Sequence, residues 1–200
     1  LKMTNTVDTD KRRFLTNATT VVGSIGAIAV TIPFISSLSP SAKARAAGAP
    51  VEVDISKLEV GQLLTIEWRG KPVFVFRRSE ESLSALANLK TELRDPHSEE
   101  LSQQPSYCKN DLRSIRQDLM VLVGICTHLG CAPTYRPELA PEDLGPDWQG
   151  GFFCPCHGST FDLAGRVYQS VPAPTNLVVP PHYFINDNKL LIGTEKMEAA

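Results

Sequence analysis

No glycine-rich phosphate cradle and no Gly-x-Ser-x-Gly elbow occur in this 200-residue chain. The usual signatures of nucleotide-phosphate binding and of the α/β-hydrolase nucleophile are therefore missing. Positive charge is scarce where a nucleic-acid surface would need it. Residues 51–200 hold fourteen Lys/Arg against twenty Asp/Glu, and such an acidic body repels phosphate, so no nucleic-acid partner is expected. Long uncharged runs are also few, and the longest is Phe14 to Ala42, twenty-nine residues. There is no internal repeat, and the composition excludes collagen, coiled coil and disorder. Fifteen prolines and thirteen glycines break the chain too often for a helical bundle. The length suits one domain with appendages.

What is present divides the chain in two. The first fifty residues hold six Lys/Arg and two Asp/Glu. At about 1.5 Å rise per residue, some twenty residues of the uncharged run span a ~30 Å hydrocarbon core. The run is rich in Ala, Gly and Thr, with Pro33 near its end. Before it stands Lys11-Arg12-Arg13-Phe14-Leu15, which resembles a twin-arginine export signal with Lys11-Arg12 as the basic pair. Ala42-Lys43-Ala44 and Ala44-Arg45-Ala46 have the form of cleavage sites, but an uncleaved anchor is the expectation. Lys11, Arg12 and Arg13 favour an N-terminus inside the cell. The expected order is a cytoplasmic arm at 1–13, a transmembrane anchor at 14–38, a flexible hinge at 39–50 and a head at 51–200 outside the cytoplasm. The hinge is Ser, Ala, Gly and Pro with two cations, a composition that cannot build a core.

The head reads as strands. Val51–Val53, Gln62–Trp68 and Pro72–Phe76 alternate, with a hairpin turn at Arg69-Gly70. Leu83, Leu86, Leu89 and Leu93 make one helical stripe over 82–93, stopped by Asp95-Pro96. Met120–Ile125 is a fully apolar strand candidate. Gly151–Cys154, Val167–Gln169, Leu177–Val179, Tyr183–Ile185 and Leu190–Ile192 follow, and 94–118 and 132–150 are polar and irregular. An all-β, antiparallel β-sandwich or partly open barrel fits best.

Two loops carry the chemistry. Cys126-Thr127-His128-Leu129-Gly130-Cys131 follows the apolar strand, and Cys154-Pro155-Cys156-His157-Gly158-Ser159 begins twenty-three residues after Cys131. Each brings two thiols and one imidazole to a strand end. A tetrahedral Cys2His2 zinc site would use four of the six groups. In an exported protein the two thiols left over would oxidise together. Four ligands plus one bridge suits an iron–sulfur cluster equally, and spacing alone does not separate the two metals.

These two boxes resemble those of the Rieske iron–sulfur family, in the form found in respiratory cytochrome bc complexes. The basic start, single anchor, Ala-rich hinge, Pro172-Ala173-Pro174 with Asn176-Leu177, and Leu190–Gly193 extend the resemblance over nearly the whole chain. It implies a Rieske-type sandwich with a small cluster-binding subdomain and one 2Fe–2S cluster. Cys126 and Cys154 would ligate one iron, His128 and His157 the other, and Cys131 and Cys156 would form a disulfide. Gly130 and Gly158 would let backbone N–H groups approach the sulfurs, and Ser159 would donate to a bridging sulfide. The family commonly has Tyr two residues after that serine, whereas this chain has Phe161, which implies a lower potential. His157, with His128 beside it, would meet quinol and accept its proton, and Leu129 would dock on the membrane partner. The Pro172–Pro174 segment would cover the cluster. The implied partners are cytochrome b, a c-type cytochrome subunit and quinol, in a dimeric complex of the bacterial inner membrane with the head in the periplasm. The competing readings are a Rieske ferredoxin or oxygenase component, which usually lacks the bridging cysteines, the small Rieske subunit of a periplasmic arsenite-type oxidase, and a zinc-stabilised binding module.

Cys108 is expected to be a lone packed thiol, and His97 and His182 surface histidines. Trp68 is expected in strand packing and Trp148 beneath the cluster loops. Asp143, Asp147 and Asp162 show no hydrolase-like pairing.

Overall fold

The computed structural model describes residues 8–195. It divides into two units, residues 1–46 and 47–200.

The first unit is dominated by α1, Thr9–Ser37, whose 29 residues start at an Asp8 cap. The Asp8 carboxylate accepts the orphan N–H groups of Asp10 and Lys11, both at 3.1 Å. Thr16, Thr20 and Thr31 hand their hydroxyls to carbonyls four residues back. In this way a polar residue hides its donor inside the helix. α1 is long and apolar enough to cross a membrane. A six-residue helix, α2 (Ala42–Ala47), lies within the expected hinge.

The head holds three antiparallel three-stranded sheets. β1 (Val51–Asp54) pairs with β9 (Lys189–Ile192), which pairs with β8 (His182–Asn186). β2 (Leu63–Trp68), β3 (Lys71–Arg77) and β4 (Leu119–Val123) form the second sheet. β5 (Thr134–Arg136), β6 (Gly151–Phe153) and β7 (Thr160–Asp162) form the third.

The period of two along β3 and β4 decides the packing. Val73, Val75, Leu119 and Val121 point into one core with Val53, Ile55, Trp68, Leu190 and Ile192. Phe74, Phe76, Met120 and Leu122 point the other way, onto Phe152, Phe161, Leu163 and Leu177. The middle sheet is thus apolar on both faces and the head has two cores. Phe74 and Phe152 stack with centroids 5.5 Å apart. Gly151 is required by the strand pairing, since a Cβ there would lie 2.0 Å from the Phe161 carbonyl oxygen.

Several local expectations are corrected. Val167–Gln169 and Leu177–Val179 are not strands. Val167 and Tyr168 make only isolated antiparallel bridges, to Phe161 and Leu93, while the Leu177 N–H donates to Gly165 O and the Val179 N–H to Gln103 O. β5 lies in a stretch expected to be irregular, and β7 was not anticipated, because three residues are too short to show a period. The 82–93 helix is α3 (Glu80–Asn88), capped by Ser79, followed by one 3₁₀ turn at Lys90–Glu92. His182 is not at the surface. It is 2% exposed and its Nδ1 lies 2.8 Å from the Pro180 carbonyl. His97 is exposed beside Asp111. Cys108 is fully buried, and burial pushes its thiol up to about 12.

Candidate metal centre

The two loops repeat one hydrogen-bond pattern. In the first, the Cys126 N–H donates to Cys131 O (2.8 Å) and the Gly130 N–H to Cys126 O (3.0 Å). In the second, the Cys154 N–H donates to Ser159 O (2.8 Å) and the Gly158 N–H to Cys154 O (2.9 Å). Each loop is a six-residue turn closed at its ends and pinched at its fifth residue. That fifth residue is left-handed, φ 84° at Gly130 and 74° at Gly158. A Cβ at either would meet nothing within 4 Å, so backbone conformation rather than space demands glycine.

The first turn follows β4 and the second joins β6 to β7, so the packed sheets fix both. The Cys131–Cys156 disulfide ties them, with Cα atoms 6.6 Å apart. That pairing matches the expectation. Cys126 and Cys154 are free thiols, each 2% exposed. His128 and His157 stand with ring centroids 4.8 Å apart and nearly perpendicular at 83°. His157 is exposed, His128 half-buried, and Leu129, the fourth residue of the first turn, is 70% exposed.

The surroundings of the thiols are built from backbone and hydroxyl donors. Burial pushes the Cys126 thiol up, the adjacent Cys154 thiol adds to that shift, and the His128 backbone N–H and the Ser159 hydroxyl oppose it. The N–H groups of Gly130 and Gly158 themselves donate to carbonyls. Ser159 is fully buried and its Oγ accepts the Ala173 N–H at 3.0 Å. The Thr127 hydroxyl donates to Thr175 O at 2.7 Å. Residues 173–175 are therefore fastened once to each turn. Trp148 stacks on Tyr168 and donates its indole N–H to Arg136 O (3.1 Å). Phe161 is fully buried in the same core as Cys126 and Cys154.

Behind the second turn lies a feature missed in the sequence. Asp162 accepts the N–H groups of Ala164 (2.9 Å) and Arg166 (2.8 Å) and pairs with Arg166 Nε at 2.7 Å. Both side chains are essentially inaccessible. Arg166 also reaches Leu86 O and Pro96 O. Arg113, fully buried, bonds Ala164 O, Gly165 O, Gln103 O and Gln104 Oε1. Burial lowers Arg113 to about 10. These arginines stitch the turn after β7 to the irregular 94–118 segment. The only signal in the sequence was an Asp-x-x-Gly-Arg run after the second box. Asp143, by contrast, forms a surface pair with Arg136.

Two free thiols and two imidazoles offered by one pair of tied turns fit a mixed Cys/His iron–sulfur centre, because the remaining two cysteines are already consumed by each other. Residues 50–181 match the Rieske [2Fe-2S] domain family. The chain belongs to the Rieske iron–sulfur family. Residues 2–41 match a second family, described as "Ubiquitinol-cytochrome C reductase Fe-S subunit TAT signal". The iron–sulfur subunit of ubiquinol–cytochrome c reductase from Allochromatium vinosum is 60% identical to this Rieske chain over 189 residues, 94% of the chain and 91% of the relative. The subunit of the same name from Bradyrhizobium diazoefficiens is 41% identical over 184 residues, 92% and 94% of the two chains. Among solved structures, a chain of a hyperthermophilic respiratory Complex III is 28% identical, with 89% of this chain and 98% of that one covered and a TM-score of 0.47.

Proposed function

We propose that this chain is the electron-transfer subunit of a quinol–cytochrome c reductase, held by α1 in a bacterial inner membrane with its head in the periplasm. Cys126 and Cys154 hold one iron of a 2Fe–2S cluster and His128 and His157 the other. The observation that carries this reading is the pairing of two buried free thiols with two imidazoles across disulfide-tied turns of matching geometry. A cluster so held supplies a one-electron acceptor whose two neutral imidazoles place its potential between roughly −150 and +300 mV.

The chain's own residues do the rest. His157, exposed at the tip, presents its outer ring nitrogen to quinol and takes its proton, with His128 alongside. Leu129 gives the tip an apolar contact for cytochrome b. The Ala173 and Thr175 fastenings keep water from the thiol side. Residues 39–50 let the head travel from cytochrome b to the c-type cytochrome subunit within a dimeric complex. Membranes from a strain lacking the chain should lose quinol-dependent cytochrome c reduction and regain it when the full chain is restored. Undiminished reduction in its absence would refute the proposal.

A further inference from the structure

The sulfurs of Cys131, Cys154 and Cys156 all lie within 4.8 Å of one another, yet only Cys131 and Cys156 are bonded. A free thiol therefore sits against a disulfide. The three differ sharply in access, since Cys154 is 2% exposed, Cys131 half-buried and Cys156 exposed. Cys126 is equally buried but is not part of this triangle.

We propose that Cys154, whenever it holds no iron, is an internal nucleophile toward the Cys131–Cys156 disulfide, so that cluster insertion must precede oxidation of Cys131 and Cys156 during maturation. This rests on the reading of Cys154 as a ligand. The Cys154 sulfur attacks the Cys131 sulfur. A Cys131–Cys154 bond forms, the Cys131–Cys156 bond breaks, and its electron pair leaves on the Cys156 sulfur. The proton lost from Cys154 passes through water to Cys156, and no external oxidant or reductant is consumed.

The exposure of the leaving sulfur favours this direction of attack. Reaction needs the sulfurs at roughly 3–3.5 Å, and the three already lie within 4.8 Å of one another. Holding the groups together makes the exchange unimolecular. The departing Cys156 sulfur is exposed and therefore hydrated, and the product still links the two turns. Attack on Cys156 would instead expel the half-buried Cys131 and close a bridge across Pro155 within one turn. Exchange costs the site a ligand and turns a buried thiol into an exposed one. A head oxidised before loading is thus trapped away from the metal-binding state.

The test compares the full chain in detergent as wild type, Cys126→Ser and Cys154→Ser. Each is alkylated with iodoacetamide before denaturation, then mapped for disulfides and assayed for iron. Both variants should lose iron, but only Cys126→Ser should carry Cys131–Cys154 as its major bridge with Cys156 alkylated. Cys154→Ser and loaded wild type should keep Cys131–Cys156. Cys108, fully buried, separates exchange from unfolding, because its alkylation marks unfolded molecules and exchange leaves it protected. Cys131–Cys156 as the only bridge in Cys126→Ser would overturn the proposal. Retention of iron by Cys126→Ser would overturn the ligand assignment instead, and chelator-stripped wild type would then decide the exchange by the same map.

Discussion

Phe161 is the residue whose chemistry most directly sets this centre apart. It is fully buried in the core that also holds Cys126 and Cys154, and it has no hydroxyl to offer a sulfur. Hydrogen bonds to ligand sulfurs lower their electron density and raise the potential. Phe161→Tyr should therefore titrate to a higher midpoint potential, and no upward shift would sink the argument. Ser159→Ala works in the opposite direction. It removes the hydroxyl donated to Cys126 and strands the Ala173 N–H. A lower midpoint is expected, with a stability loss of about 1–3 kcal/mol in denaturant titration. At this scale the sequence was most informative where chemistry is scarce. Four thiols and two imidazoles in two short boxes leave few ways to be used. His182 was misjudged because nothing local signals burial. The residues that hide it, such as Tyr107, whose hydroxyl lies 3.0 Å from both its N and O, are seventy-five positions away.

The elements behind the site hold it in place, and their contribution is testable by unfolding. The Asp162–Arg166 pair is sealed from water, and removing one partner leaves an unpaired buried charge. Asp162→Ala should cost about 3–5 kcal/mol, read as a fall in denaturant midpoint, whereas a loss near zero would show that the pair is dispensable. The turns themselves should be sensitive at Gly130 and Gly158, where an L side chain would be strained. β3 was legible from its alternating Val and Phe, and β4 as an unbroken apolar run of five residues. β5 and β7 were not, since three residues pair only because the neighbouring turns bring them together. The buried arginines were invisible for a related reason. Arg113 and Arg166 look like surface charge until the backbone carbonyls that surround them are folded into place.

For the whole molecule, titration and travel are the two measurable properties. Burial holds the His182 imidazole below its ordinary value of 6.5, outweighing the opposing pull of the Pro180 carbonyl. The unfolded chain takes up that proton near pH 6.5 while the folded head does so only at lower pH. Stability contributed by neutral His182 should therefore be lost as pH falls below about 6.5. His182→Gln should flatten this limb of the stability profile, and an unchanged limb would exclude the residue as its source. The proposed travel rests on residues 39–50. Deleting α2 should leave the centre spectroscopically intact and abolish electron delivery to cytochrome c, and full delivery with a shortened linker would contradict a moving head. The apolar helix and the β-rich head were plain in composition, but the short helix α2 was not.

The central claim is that two imidazoles and two thiolates of this chain share a pair of irons. Its most direct test is the low-temperature EPR spectrum of the purified, chemically reduced full chain. Mixed Cys/His ligation predicts a rhombic signal of low average g-value that disappears in both Cys126→Ser and His157→Gln. A colourless protein with one spectroscopically silent metal would contradict the account.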